Sequence, residues 1–592
     1  MVKVENHLNV ITMETKINLI INTSDIDMIT VELESMPLLA VDTETTGLDP
    51  YTSKVLLFQI GDLEKQFVID CRKASIEPLR KILESDKPKV LQNAKFDYKM
   101  IKHSFKIEME NMIDTMLIEQ VLVCGKSDKH FGLADLVEKY IGDRPDKDER
   151  KSFINHDGDF SENQLEYARR DLLFTLQVLD KQVKFVIDDE LKDTVKLECL
   201  AVNAFGDIEY NGMLLDKAKW AEILQEEVNK KEQAKERLDS IFKPHSDLDL
   251  FGAIHINYDS EEQLKDALTR IGINVNDTSK ATISRINPEV GQAINDYREH
   301  QKVVSSYGEG FLEHINHVTG RIHPSFRQIG ASSGRTSCAD PNLQNIKADS
   351  RFRGCFVSPA GRKLVVADYS GCELRIIAEL SDDPIFLETF RSGGDLHSIV
   401  ASAIFKKKVS KTENPELRQR AKVINFGLAY GMGPVGLAMQ LEVPEDEAGE
   451  LLNQYFRSYP SVKKYLEESA NEAIKKGYST TIGGRRRYYD TKDMDQKTRS
   501  SIERQAKNAP IQGTNADMTK LALVWIRNGV KERNLDAKLI NTVHDEIVIE
   551  CDESIAEEMS KIMRDCMIKA GEHYLHKVPV DVECVISDSW LK

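Results

Sequence analysis

Asp42 and Glu44 stand two residues apart in the segment PLLAVDTETTG. If that segment is a strand, successive side chains alternate between its faces, so both carboxylates point to one side. A third acid, Asp97, follows in QNAKFDYK, and a fourth, Asp171, in EYARRD, four residues after Tyr167. Residues four apart share a helix face, which sets the Tyr167 hydroxyl beside the Asp171 carboxylate. Any one of these fragments alone reads as a solvated acid; the three in order within one α/β unit read as a site. Hydrolysis of a phosphodiester by two divalent ions needs hard oxygen ligands around Mg²⁺ or Mn²⁺ held roughly 3.5–4 Å apart. Four carboxylates near one point repel one another, and such ions relieve the repulsion. A tyrosine hydroxyl there can orient the attacking water.

A second set of acids lies further along. Asp368 closes the apolar run LVVAD, and Asp545 with Glu546 sits at the turn of TVHDEIVI. An acidic hairpin turn is usually only a turn. Between these two, however, RQRAKVINFGLAYG spaces Arg418, Lys422, Phe426 and Tyr430 four residues apart. On an α-helix each step of four drifts by about 40°, so the four line one broad face over roughly 18 Å. The plain reading is an amphipathic helix with a mixed face. Yet two cations at one end and two rings at the other suit a nucleotide, charge for the triphosphate and rings for sugar and base. Gly427 and Gly431 weaken such a helix and would let a base or backbone approach closely.

The first set resembles a DEDD-type 3′→5′ exonuclease with tyrosine in its third motif. The resemblance implies that Asp42, Glu44, Asp97 and Asp171 bind metal and that Tyr167 positions water. Asn93 and Phe96 occupy second-motif positions that usually help hold the strand end; phenylalanine lacks the hydroxyl the family often carries there. The later segments, in their order, resemble motifs A, B and C of family A DNA polymerases, of the bacterial DNA polymerase I large-fragment type. This implies that Asp368 and Asp545 are the metal-ligating aspartates, with Glu546 beside the second. It further implies that Arg418 and Lys422 hold the triphosphate, Lys422 also aiding the pyrophosphate leaving group, and that His397 in GGDLHS adds a phosphate contact. Phe426 and Tyr430 would flank the incoming sugar and base, and Glu373 would crowd the nucleotide 2′-position. Arg335 and Asn345 in SGRTSCADPNLQN match a primer–template contact segment, and Arg504, Asn508 and Gln512 in ERQAKNAPIQGTNAD match a minor-groove and template segment. The implied cofactors are two Mg²⁺ per active site, with Mn²⁺ as a substitute. The implied partners are primer–template DNA, dNTPs and single-stranded DNA at the exonuclease site.

These residues need elements to hold them. Short strands are predicted over 37–72, followed by helices ending in ENQLEYARRDLLFTLQVLDKQV. Two long helices, about 216–242 and 288–316, have little apolar core between them and read as a projecting arm. Strand LVVADYS at 364–370 and hairpin LINTVHDEIVIE at 539–550 bracket a helix-rich insertion. The expected fold class is α/β and α+β multidomain, and the resemblance implies an RNase H-like exonuclease domain followed by a right-hand polymerase of palm, fingers and thumb. The expected domains are 1–192 exonuclease, 193–325 thumb with a palm-connecting segment, 326–395 first part of the palm, 396–500 fingers and 501–592 second part of the palm.

A decoy lies in this region. Gly431-Met432-Gly433-Pro434-Val435-Gly436 satisfies G-x-G-x-x-G, but it follows a helix and contains proline, whereas a dinucleotide fold needs strand, turn, then helix.

Bulk properties fit this reading without carrying it. A chain of 592 residues exceeds one core, and 41% apolar with 30% charged residues is ordinary for a globular protein. The formal net charge of -17 alone speaks against nucleic acid, but a basic groove can sit on an acidic body. Two basic runs exist, Lys406–Lys408 and Arg485–Arg487, whose plain reading is a solvated face. The nine cysteines form no C-x-x-C pair, which disfavours a zinc site or disulfide framework. No signal peptide or apolar run of membrane-spanning length is present, so a cytoplasmic monomer with no membrane contact is expected. The exonuclease segment begins near residue 1, so no 5′-nuclease domain is expected. The arm shows no large insertion for a processivity partner, the arrangement is similar to phage-encoded replicases, and replisome partners are left open. Two rival readings fit less well. A non-catalytic DNA-binding scaffold would not need every acid intact, and a single-subunit RNA polymerase shares the palm motifs but not Glu373 or the exonuclease.

Overall fold

The computed structural model describes residues 18–127, 130–145, 149–347, 350–429 and 431–591. The N-terminal unit is built on a six-stranded sheet. Its order is Asn18–Ile20, Gln66–Asp70, Val55–Gly61, Leu39–Thr45, Lys89–Leu91, Met112–Asp114. The three strands between residues 39 and 70 pair antiparallel, and Lys89–Leu91 and Met112–Asp114 continue the sheet in parallel. Val55–Gly61 is buried along its whole length, as a strand covered on both faces must be.

The alternation of Leu39–Thr45 is what the acid pair required. Leu39 and Val41 share a core with Tyr98 and Ile101 of the helix Ala94–Phe105. Ala40 on the opposite face packs with Leu172 and Leu176 of the helix Glu162–Asp188. Asp42 and Glu44 therefore face that second helix, which carries Tyr167 and Asp171. Its start is fixed by a capping box in which Ser161 and Gln164 satisfy each other's backbone N–H. The Asp114 carboxylate accepts from the backbone N–H groups of Asn93 and Ala94, which anchors the helix bearing Asp97.

The largely buried helix Lys192–Asn211 leads out of this unit. Lys217–Phe242 and Pro288–Tyr307 then pair as the arm. The arm differs from the expectation in two respects: its second helix ends at Tyr307, before Gly308, rather than near 316, and a small core of its own, including Phe242, Tyr258, Leu264, Leu268, Ile294 and Tyr297, fills the space between the helices and the intervening segment.

The second sheet has four antiparallel strands, in the order Ala537–Val543, Glu546–Asp552, Arg362–Tyr369, Val582–Ser587. Asp368 lies opposite Glu546 on one side and Glu583 on the other. Between the sheet's strands the chain makes the helices Cys372–Ser381, Leu396–Phe405 and Pro415–Ala429, further helices to Lys476, and the 37-residue helix Gln496–Glu532. Pro434 opens the helix Pro434–Leu441 directly after Gly431-Met432-Gly433, so the glycine motif joins a turn to the start of a helix and has a helix, Pro415–Ala429, rather than a strand before it.

Buried ion pairs tie the two units together. The Arg485 guanidinium meets Glu198 at 2.5 Å and Asp517 at 2.7 Å, and Lys520 meets the same Glu198 at 2.5 Å. Arg527 pairs with Asp207 at 2.8 Å and Glu110 at 3.1 Å. Arg486 and the Tyr488 hydroxyl both reach Asp189 at the end of the helix Glu162–Asp188. The run Arg485–Arg487 is thus not a solvated face but an internal strut, whereas Lys406–Lys408 are exposed. All nine cysteines are free. No described helix is long and apolar enough to cross a membrane.

Candidate active sites

In the N-terminal unit, carboxylate oxygens of Asp42, Glu44 and Asp171 lie within 4.8 Å of one another. Asp97 stands outside that trio, near enough for its charge to act on Asp42 and Glu44; its Oδ1 accepts the Thr43 hydroxyl at 2.6 Å. Burial raises the Asp42 carboxyl well above its ordinary value, and the charges of Asp97, Glu44 and Asp171 add to this. Glu44 is raised by burial and then by Asp171, with Arg150 opposing. Burial pushes Asp97 and Asp171 up to about 7, although hydrogen bonds from Thr43 and Tyr167 respectively act the other way. The Tyr167 hydroxyl is raised by burial and by the Asp171 charge, so it stays protonated and able to donate. Four acids that resist joint ionisation are a set built for cations. Their all-oxygen chemistry fits Mg²⁺ or Mn²⁺. Asn93 takes a left-handed conformation at φ 63° to start the helix of Asp97, and Phe96 is half-buried in its first turn.

The second sheet gathers the other set. Asp368 is next to last in its strand, and Asp545 sits in the hairpin turn one residue before Glu546, the residue paired with Asp368. Both aspartates act on one neighbour. The buried Cys372 thiol is raised well above its ordinary value by burial, then by Asp545, Glu373 and Asp368. By strand register the two aspartates stand at the same end of the sheet, beside the start of the helix Cys372–Ser381, and two half-exposed carboxylates at one sheet end also fit a divalent cation. Glu546 itself is buried and engaged elsewhere: it accepts from the Trp590 indole at 2.7 Å and from Arg353 at 3.0 Å, and Arg353 lies over the Trp590 ring.

The remaining residues surround this point. Arg335 meets Glu373 Oε1 at 2.5 Å, while Oε2 is buried without a hydrogen-bond partner. Arg418 grips Asp395 through two hydrogen bonds, of 2.6 and 3.2 Å. Burial opposes ionisation of Asp395, but the Arg418 and Ser398 hydrogen bonds hold it down at about 2. His397 contacts the Asn425 amide at 2.9 Å, and burial, then Arg418, lower it to about 4, so its ring is neutral at pH 7. Lys422 is exposed on the same helix as Arg418. Phe426 belongs to that helix, but its side chain and all of Tyr430 lie outside the described residues. Arg504, Asn508 and Gln512 recur every four residues along Gln496–Glu532 and share a face; Arg504 is exposed, and Asn508 and Gln512 are half-buried. Asn345 is exposed in the short turn after the 337–339 strand.

Sequence reasoning missed the residues that hold these groups in place. Thr43 orients Asp97, Arg353 and Trp590 hold Glu546, and Asp395 holds Arg418. Asp395 lay within the quoted GGDLHS and was legible as an acid near the cations; the others carry no local signal.

The family model described as DNA polymerase family A matches residues 223–592, and that of a 3'-5' exonuclease matches residues 19–185. The chain is 32% identical to a DNA polymerase I of Aquifex aeolicus, an alignment covering 95% of this chain and 97% of the relative. It is 32% identical to a DNA polymerase I of Pseudomonas aeruginosa, covering 98% of this chain and 66% of that longer relative. Among solved structures it is similar to the POL domain of Pol1 from M. smegmatis in complex with DNA primer-template and dNTP. That likeness has a TM-score of 0.83 and 26% identity, and covers 97% of this chain and 99% of the other.

Proposed function

This chain belongs to DNA polymerase family A and carries a 3′–5′ exonuclease domain ahead of the polymerase, and from that premise we propose how its two acid clusters divide the work. The cluster of Asp368 and Asp545 extends a primer 3′ end with deoxynucleotides along a template, and the cluster of Asp42, Glu44, Asp97 and Asp171 removes nucleotides from a single-stranded 3′ end. The supporting observation is that two separate sets of carboxylates, Asp42 with Glu44 and Asp171, and Asp368 with Asp545, gather at two separate sheets of one chain. Mg²⁺ suits both all-oxygen sets, and a pair of ions at each would be held by these acids. When bound, the cations supply Lewis-acid chemistry, activating the attacking oxygen and neutralising charge at the phosphate.

The protein's own residues do the rest. Lys422 and Arg418 present charge to the triphosphate; Arg418 must exchange Asp395 for phosphate oxygens, so nucleotide binding breaks an existing pair. His397, neutral, donates a hydrogen bond rather than a charge. Glu373, held by Arg335, excludes a ribose 2′-hydroxyl by its bulk. Template bases select the nucleotide by pairing, while Arg504, Asn508 and Gln512 read duplex shape along one helix face. At the other site, the protonated Tyr167 is held against Asp171 and can orient water toward a phosphate.

In this reading 1–192 is the exonuclease domain, 193–325 thumb and connector, 326–395 and 501–592 palm, and 396–500 fingers. A labelled hairpin primer with Mg²⁺ and dNTPs tests the assignment: template-directed extension and, without dNTPs, 3′ shortening are expected. Failure of extension by folded protein would overturn it.

A further inference from the structure

Gln59 is 0% exposed, and neither its amide nitrogen nor its amide oxygen has a hydrogen-bond partner. A polar group buried in this way is costly, so its retention asks for a reason. Its position offers one. On the strand Val55–Gly61 it lies directly opposite Asp42. Opposed residues of an antiparallel pair share a face, with Cβ atoms about 4.5–5.5 Å apart. On the next strand its partner is Val68, which packs with Leu57 and with Ala168 of the helix Glu162–Asp188. The amide is thus sealed between Asp42 and the helix that carries Asp171.

Two of the other three acids show what is missing at Asp42. Asp97 is oriented by the Thr43 hydroxyl and Asp171 by the Tyr167 hydroxyl. Asp42 meets the Thr43 backbone N–H, while burial and three neighbouring acids press against its ionisation. Gln59 carries two amide hydrogens on the face where Asp42 lies.

We propose that Gln59 is a positioning residue of the exonuclease centre: its amide N–H donates to one oxygen of the ionised, cation-bound Asp42, turning the other toward Glu44 and Asp171. Carboxylates that ligate metals are themselves held by hydrogen bonds, and losing such a partner weakens metal affinity roughly 10–100-fold. The inference rests on the reading of the four acids as a metal site.

The test is Mn²⁺ affinity measured by electron paramagnetic resonance, in an Asp368→Asn/Asp545→Asn background so that the polymerase centre does not contribute. Gln59→Leu keeps the side chain's bulk and removes its donor. Its Mn²⁺ dissociation constant should rise about 10–100-fold, and the Mg²⁺ concentration for half-maximal single-strand degradation should rise with it in the otherwise native chain. Primer extension by Gln59→Leu should be unchanged. A Gln59 with a purely structural role predicts the opposite pattern: deleting an unpaired amide leaves Mn²⁺ affinity alone and raises thermal stability. That result, in a folded Gln59→Leu protein, would overturn the proposal. Should Gln59→Leu not fold, Gln59→Met decides by the same readouts. Asp42→Asn separates the two levels. If it loses Mn²⁺ while the Gln59 variants keep it, only the positioning role falls; if it too keeps Mn²⁺, the metal-site reading falls and takes the proposal with it.

Discussion

Arg335 donates to Glu373 across 2.5 Å, joining the segment before the strand Arg362–Tyr369 to the helix that follows it. Glu373 is therefore a braced group, buried at 5% exposure, and not a free carboxylate that could swing away from an incoming sugar. Its bulk should exclude a 2′-hydroxyl. Glu373→Ala is expected to raise ribonucleotide incorporation at least tenfold, about 1.4 kcal/mol of discrimination. Arg335→Ala should move selectivity the same way by loosening the brace. Single-nucleotide kinetics with matched ribo- and deoxyribonucleotides measure this, and an unchanged ratio in Glu373→Ala would refute the assignment.

The exonuclease acids are separable from the polymerase. Asp42→Ala with Glu44→Ala should abolish 3′→5′ degradation of single strands and leave extension largely intact, because the two clusters sit on different sheets. Parallel assays of one preparation decide the matter; comparable loss of both activities in folded protein would contradict it.

Metal-free protein should show the strain of that cluster in its pH dependence. Asp97 and Asp171 sit at about 7 when folded, well above an unfolded carboxyl. Between roughly pH 4 and 7 the folded state then holds more protons than the unfolded one, so stability falls as pH rises through that window. In a chelator, melting temperature should drop from pH 5.5 to 8, added Mg²⁺ at pH 8 should restore it, and Asp97→Asn/Asp171→Asn should flatten the slope. A slope identical to the native chain's in that double variant would count against the cluster.

Arg485 should matter for stability rather than chemistry. Removing it leaves Glu198 and Asp517 buried, with Lys520 as their nearest remaining cation. Arg485→Met should cost roughly 3–5 kcal/mol in urea unfolding. A change of under about 1 kcal/mol would show that the network is not a structural tie.

How much of this was legible in sequence depended on range. Asp42 and Glu44 could be placed together because a strand alternates strictly, and Arg418 and Lys422 because a helix repeats. Thr43 and Asp97 are 54 residues apart, and Arg353 and Glu546 are 193 apart, so no local period joins them. Charge misled at Arg485–Arg487, since a basic run has the same sequence whether it meets water or buried acids. The arm's core was missed because Tyr258, Leu264 and Ile294 are scattered among polar residues and meet only when the two long helices close.

The most direct test of the account is primer extension by Asp368→Asn and by Asp545→Asn. Each change keeps the side chain's shape and removes the charge that would hold Mg²⁺. The extension rate should fall at least a thousandfold, roughly 4 kcal/mol of transition-state stabilisation, while duplex binding changes little and single-strand degradation survives. Extension at near native rate in Mg²⁺ by either variant would contradict the account and place the polymerase centre elsewhere.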